Sequence, residues 1–108
     1  RFAAMAAHAR FINIGRGPIV VTDDLVDALV NRQIAGAALD VFEQEPLPAD
    51  HPLWGLDNVL MSAHMAGDFV GWRDALVDQF LDNLARWQRG DGLFNQVSKH
   101  HGYAPGAA

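Results

Sequence analysis

Four side chains of the 108-residue sequence have the types that acid–base chemistry on a small acid needs: Arg16, Glu43, Glu45 and His64. Arg16 stands between two glycines at the end of an apolar run, Phe11-Ile12-Asn13-Ile14-Gly15-Arg16-Gly17. Glu43 and Glu45 follow a second such run, and His64 closes a third. A guanidinium offers a planar fork that holds a carboxylate in two parallel hydrogen bonds. A histidine titrates near neutral pH, so it can give a proton to a carbonyl oxygen or take one from a hydroxyl. A carboxylate on the other imidazole nitrogen fixes the tautomer. The chemistry that uses all three is interconversion of a 2-oxo acid and a 2-hydroxy acid. Arginine grips the acid, histidine moves the proton, and a cofactor moves the hydride. Two of them also have a plainer reading: Arg16 as a turn residue held by an aspartate or a carbonyl, and Glu43 as a solvated loop charge.

Such a set works only if the fold brings it together. Residues 10–15, RFINIG, are β-branched and aromatic, a short run of the kind buried on both faces of a parallel sheet. GAALDVF (36–42) and NVLMSAH (58–64) are a second and third strand candidate. Between the first two, Leu25, Val26, Leu29 and Val30 recur at helical spacing. Thr22 is the expected N-cap, Asp23 and Asp24 suit the helix dipole, and Gly36 is the expected C-terminal glycine. EQEPLPADHPLW, with three prolines, is expected to be neither helix nor central strand. From Asp68 a long amphipathic helix is written: Phe69, Trp72, Leu76, Val77, Phe80, Leu81, Leu84 and Trp87 form one stripe, and Gly90 stops it. The expected fold is therefore α/β, a partial Rossmann-type parallel sheet of about three strands with flanking helices and a long C-terminal helix. In parallel sheets, ligands bind outside the carboxyl ends of the strands. Arg16, Glu43, Glu45 and His64 all follow strand ends on that one edge.

The bulk numbers narrow the function further. A net charge of −5, with one lysine (Lys99) and scattered arginines, argues against a nucleic-acid surface. No cysteine is present, so there is neither a disulfide framework nor a thiolate metal site, and a reducing cytoplasm is the expected location. No apolar run approaches the roughly 18 residues of a membrane span. Adjacent His100 and His101 invite a metal reading, but neighbours on a tail without a nearby carboxylate are poor ligands, and no metal is expected. His8 and His51 read as surface or loop residues. The first residue is Arg1, and its context reads as the middle of something longer.

The series FINIGRGPIV, DDLVDAL, GAALDVFEQEPLP, HPLW and NVLMSAHMAG, over residues 11–67, closely resembles the C-terminal signature of the D-isomer-specific 2-hydroxyacid dehydrogenases. The resemblance implies a division into residues 1–67, the C-terminal half of a dinucleotide-binding domain; 68–90, a helix leading back to a substrate domain; and 91–108, a polar tail ending in a mobile Gly/Pro/Ala segment. It implies that Arg16 binds the substrate carboxylate and carbonyl, that Glu45 pairs with His64, and that His64 is the acid/base. Asp40 would accept a hydrogen bond from the nicotinamide carboxamide. Asn13, Gly15, Arg16, Asp40, His64 and Gly67 would line the cofactor, NAD or NADP, although Asn13 could equally tie its strand to a neighbouring loop. The family's formate dehydrogenase branch carries glutamine at the position of Glu45, so glutamate favours an oxo-acid reductase of the glyoxylate or hydroxypyruvate kind. Where the family commonly has proline before the histidine, this chain has Ala63. The expected partner is a small 2-oxo or 2-hydroxy acid, and the full-length protein is expected to be a homodimer. An alternative of the same fold is a dinucleotide-sensing, corepressor-like binding protein. The pyrophosphate loop is expected upstream: Gly15-Arg16-Gly17 is not it, because the third glycine of G-x-G-x-x-G falls on Val20. The isolated chain, about a third of a family member, is therefore expected to be a fragment without catalytic activity.

Overall fold

A computed structural model describes residues 1–100, 102 and 104. The expectations for His101 and for the segment 105–108 lie outside the described residues. Contacts divide the chain into two units, Arg1–Gly67 and Asp68–Ala108. Among the described residues no helix is long and apolar enough to cross a membrane.

The first unit is built on three parallel strands in the order β1-β2-β3: β1 Arg10–Asn13, β2 Gly36–Leu39 and β3 Val59–Met61. Register sets Phe11 beside Ala37 and Ala37 beside Val59; one step on, Ile12, Ala38 and Leu60 align. Side chains alternate between faces, so these two rows point opposite ways. The first row packs with helix α1 (Thr22–Val30) into a core of Leu25, Ala28, Leu29, Ile34, Ala37, Leu39 and Leu53. The second row is open: Ile12 is 67% and Leu60 73% exposed. The expectation of burial on both faces therefore fails within this unit, because α1 supplies a cover for one face only.

Local chemistry corrects three further expectations. Helix α1 is capped by Val21 without a side-chain bond, and Thr22 is already its first residue. At its other end Arg32 takes the left-handed conformation (φ 52°) that Gly36 was expected to supply. Gly36 instead opens β2, where a Cβ would lie 2.6 Å from the Asn58 carbonyl oxygen. The proline-rich loop does contain one turn of 3-10 helix, Pro52–Gly55. Pro52 opens it, and His51 Nδ1 accepts a hydrogen bond from the Leu53 amide at 3.3 Å.

The second unit carries helix α2, Trp72–Arg89. It starts later than the expected Asp68 because Gly71 sits at φ 88°, outside helical space, and it ends at Gly90 (φ 76°). Arg86 bonds Asp82 one turn back at 2.7 Å. The segment after the helix folds onto it: Asn83 exchanges two hydrogen bonds with the backbone of Phe94, at 3.1 and 2.7 Å.

Candidate active site

The sheet ladder continues past the strand ends and carries the candidate residues with it. The Asp40 amide donates to the Asn13 carbonyl at 2.9 Å, the Ser62 amide to Leu39 at 3.0 Å, and the His64 amide to the Asp40 carbonyl at 2.9 Å. The three loops that follow β1, β2 and β3 are thereby stitched side by side at one edge.

His64 and Glu45 meet there. Nδ1 of His64 lies 2.7 Å from Oε2 of Glu45, while Oε1 of Glu45 accepts from the Phe42 amide at 2.9 Å. The histidine bond, followed by the amide, holds the Glu45 carboxyl below its ordinary value. Both side chains stay partly open, His64 at 49% and Glu45 at 36%. Nε2 of His64 has no protein partner among the described residues, so one ring nitrogen is oriented and the other is available. An apolar cavity of about 590 Å³ abuts the pair, lined by Phe42, Leu47, Trp54 and Met61 beside Glu45 and His64.

Arg16 occupies the neighbouring loop and is exposed. Nη1 donates to the Gly15 carbonyl at 2.7 Å, and no carboxylate pairs with it among the described residues. Among the described residues nothing else engages its fork. Asn13, only 5% exposed, shapes this loop: its amide donates to the Arg16 carbonyl at 3.0 Å and accepts from the Gly15 amide at 3.1 Å. Gly17 has a specific reason to be glycine. A Cβ there would lie 2.0 Å from the carbonyl carbon and oxygen of Phe42, so the Arg16 loop presses directly on the Glu45 loop. The glycine admits protein backbone at that point. Gly15 packs against Ile19 and Asn13, whereas Gly67 has open space around its Cα. Glu43 is exposed.

Asp40 is the buried charge of the site, at 3% exposure. Oδ1 accepts from the Ser62 hydroxyl at 2.6 Å and from the Met65 amide at 2.8 Å, and Oδ2 accepts from the Ala66 amide at 2.8 Å. The Ser62 bond is the chief reason its carboxyl is held below the ordinary value, with the two amides adding to it against the cost of burial. Ser62 had no signal of its own in the sequence. Its partner lies 22 positions away, and only the adjacency of β2 and β3 joins them.

The chain matches, over residues 1–66, the family model described as D-isomer specific 2-hydroxyacid dehydrogenase, NAD binding domain. It is 45% identical over 91 residues to a glyoxylate reductase of Thermofilum pendens, covering 84% of this chain and 27% of that protein. It is 42% identical over 100 residues to glyoxylate/hydroxypyruvate reductase B of Citrobacter koseri, covering 93% and 29%. Among solved structures, it is similar to a D-isomer specific 2-hydroxyacid dehydrogenase from Xanthobacter autotrophicus Py2 in complex with NADPH and MES. The TM-score there is 0.81 at 42% identity, with 94% of this chain and 41% of that one covered. The chain thus spans about a third or less of the length of these curated relatives.

Proposed function

The chain belongs to the D-isomer specific 2-hydroxyacid dehydrogenase family, as part of its NAD-binding domain, and on that premise we propose that its strand-end site serves a longer oxidoreductase. The reaction is hydride transfer between NAD(P)H and a small 2-oxo acid, giving the D-2-hydroxy acid. The observation that carries the reading is the 2.7 Å pairing of His64 with Glu45, on the edge where Arg16 also stands. The names of the relatives support a reductase of glyoxylate or hydroxypyruvate over a corepressor-like protein.

Arg16 keeps Nε and Nη2 for the substrate carboxylate, and a planar fork fits that group in two bonds. His64, with Nδ1 engaged by Glu45, delivers its proton from Nε2 to the oxo oxygen. Glu45 offsets the charge of the imidazolium before transfer and holds the ring in place afterwards. A nicotinamide dinucleotide, when bound, supplies the hydride. The residues present fit its nicotinamide end. Asp40 is an ionised acceptor whose Oδ2 carries one hydrogen bond from the protein, leaving acceptor capacity for a carboxamide N–H. Gly15 and Gly67 would offer backbone to the cofactor, and Asn13 would act through the loop it shapes. The residues for the pyrophosphate end do not fit, since the chain holds no G-x-G-x-x-G loop. The 108 residues alone should therefore bind dinucleotide weakly and turn nothing over. Cytoplasmic location and a homodimeric full-length protein belong to the same proposal, supported by the family resemblance.

The test is turnover by the full-length protein with NADPH or NADH and a panel of glyoxylate, hydroxypyruvate and pyruvate. Reduction of at least one, with Arg16→Ala lowering kcat/KM by about a hundredfold or more, is the expected result. No turnover of any acid, or an Arg16→Ala variant as fast as the parent, would overturn it.

A further inference from the structure

His64 stands in an unusual backbone position. Its φ is 53°, in the left-handed region that residues with a Cβ seldom adopt. Ala63 before it supplies no ring to constrain the chain. Something else must hold this turn, because a small rotation there would carry the imidazole away from Glu45.

Four hydrogen bonds to Asp40 do so. Its backbone carbonyl takes the His64 amide at 2.9 Å. Its carboxylate takes the Ser62 hydroxyl, the Met65 amide and the Ala66 amide, at 2.6, 2.8 and 2.8 Å. The donors flank His64 on both sides in sequence, so one residue grips the turn before, at and after the histidine. Asp40 itself cannot drift. It is 3% exposed at the end of β2 and has no lysine or arginine partner among the described residues. A buried carboxylate without a cation must keep the N–H and O–H donors that solvate it. The one side-chain donor in the set is Ser62.

We infer that Ser62 and Asp40 are a positioning pair for His64: the Ser62 hydroxyl locks the Asp40 carboxylate, and the carboxylate locks the turn that aims the imidazole at Glu45 and the substrate. This rests on the acid/base role proposed for His64 and adds a residue, Ser62, that touches neither substrate nor hydride donor. Removing the hydroxyl leaves Oδ1 with one donor and frees the turn on its N-terminal side. Threonine keeps the hydroxyl and its reach.

The experiment compares Ser62→Ala and Ser62→Thr in the full-length protein by two readouts. The first is the imidazole 15N NMR signal of His64, which reports the Nδ1 hydrogen bond to Glu45 with no turnover needed. The second is kcat and KM for the best oxo acid at saturating NADPH. In Ser62→Ala the His64 signal broadens or shifts toward free imidazole. Its kcat falls about tenfold to a hundredfold, while KM for the oxo acid, which Arg16 holds, stays within about twofold. Ser62→Thr retains the parent signal and rate. An unchanged His64 signal in Ser62→Ala, or a Ser62→Thr protein as impaired as Ser62→Ala, overturns the inference. Ser62→Cys, a close isostere with a weak donor, gives the same reading should Ser62→Ala fail to fold. If the parent reduces no oxo acid but its His64 signal still responds to Ser62→Ala, the proposed reaction falls and the positioning pair stands.

Discussion

Helices α1 and α2 carry the same kind of signal and meet different fates. Both have apolar residues at helical spacing. In the nine-residue α1, Leu25, Ala28 and Leu29 are buried against β2. In the 18-residue α2 no residue is buried, and Phe80 and Trp87 are 65% and 70% exposed. Periodicity states which side of a helix is apolar; whether anything meets that side is decided elsewhere in the fold. The same holds inside the sheet. Phe11 and Ile12 are neighbours in one strand, yet one faces the core and the other is open, because α1 supplies a single cover.

If the first unit holds a real core and α2 has none of its own, equal truncations must have unequal costs. Leu29→Ala, at a fully buried site, should lower the unfolding free energy of the chain by about 2–5 kcal/mol, read from urea titration. A cost near zero would remove the distinction between the helices. Gly17→Ala should cost about 1–3 kcal/mol, because the new methyl meets Phe42 backbone that has no rotamer to yield. A neutral result would mean that the Arg16 and Glu45 loops are not pressed together. Phe80→Ala in α2 should stay within about 0.5 kcal/mol. A larger loss would show that its stripe has found a cover.

Acid supplies a subtler contrast. Asp40 and Glu45 both have carboxyls held below their ordinary values of 3.8 and 4.5. A depressed carboxylate contributes stability above its unfolded value and loses it as pH falls through the folded one. Stability of the first unit should therefore be level near neutrality and decline only once the pH drops below those ordinary values. In Ser62→Ala the decline should be shallower, since the chief cause of the Asp40 depression is gone. An acid profile identical to the parent would mean that the Ser62 bond does not form in solution.

What could be read from the sequence was whatever is local or repeated. The three strands, α1 and the chain positions of Arg16, Glu45 and His64 follow from apolar runs and short motifs. What escaped was whatever depends on two segments meeting. Gly17 is required by a close approach that no local pattern shows: the backbone it makes room for belongs to Phe42, 25 positions on. Gly36 looked like a helix stop and is a point of close approach to Asn58, while Arg32 stops the helix in its place. Ser62 carries no signal of its own in the sequence. Its worth lies in a bond to Asp40 that exists only because β2 and β3 are adjacent.

If His64 is the proton donor, the most direct measurement of it is the rate of oxo-acid reduction by full-length His64→Ala under saturating NADPH. The predicted result is a folded protein that binds NADPH as the parent does and has lost about 10²–10⁴-fold in kcat. A His64→Ala protein turning over at the parent rate would contradict the account, since no histidine-borne proton would then be needed.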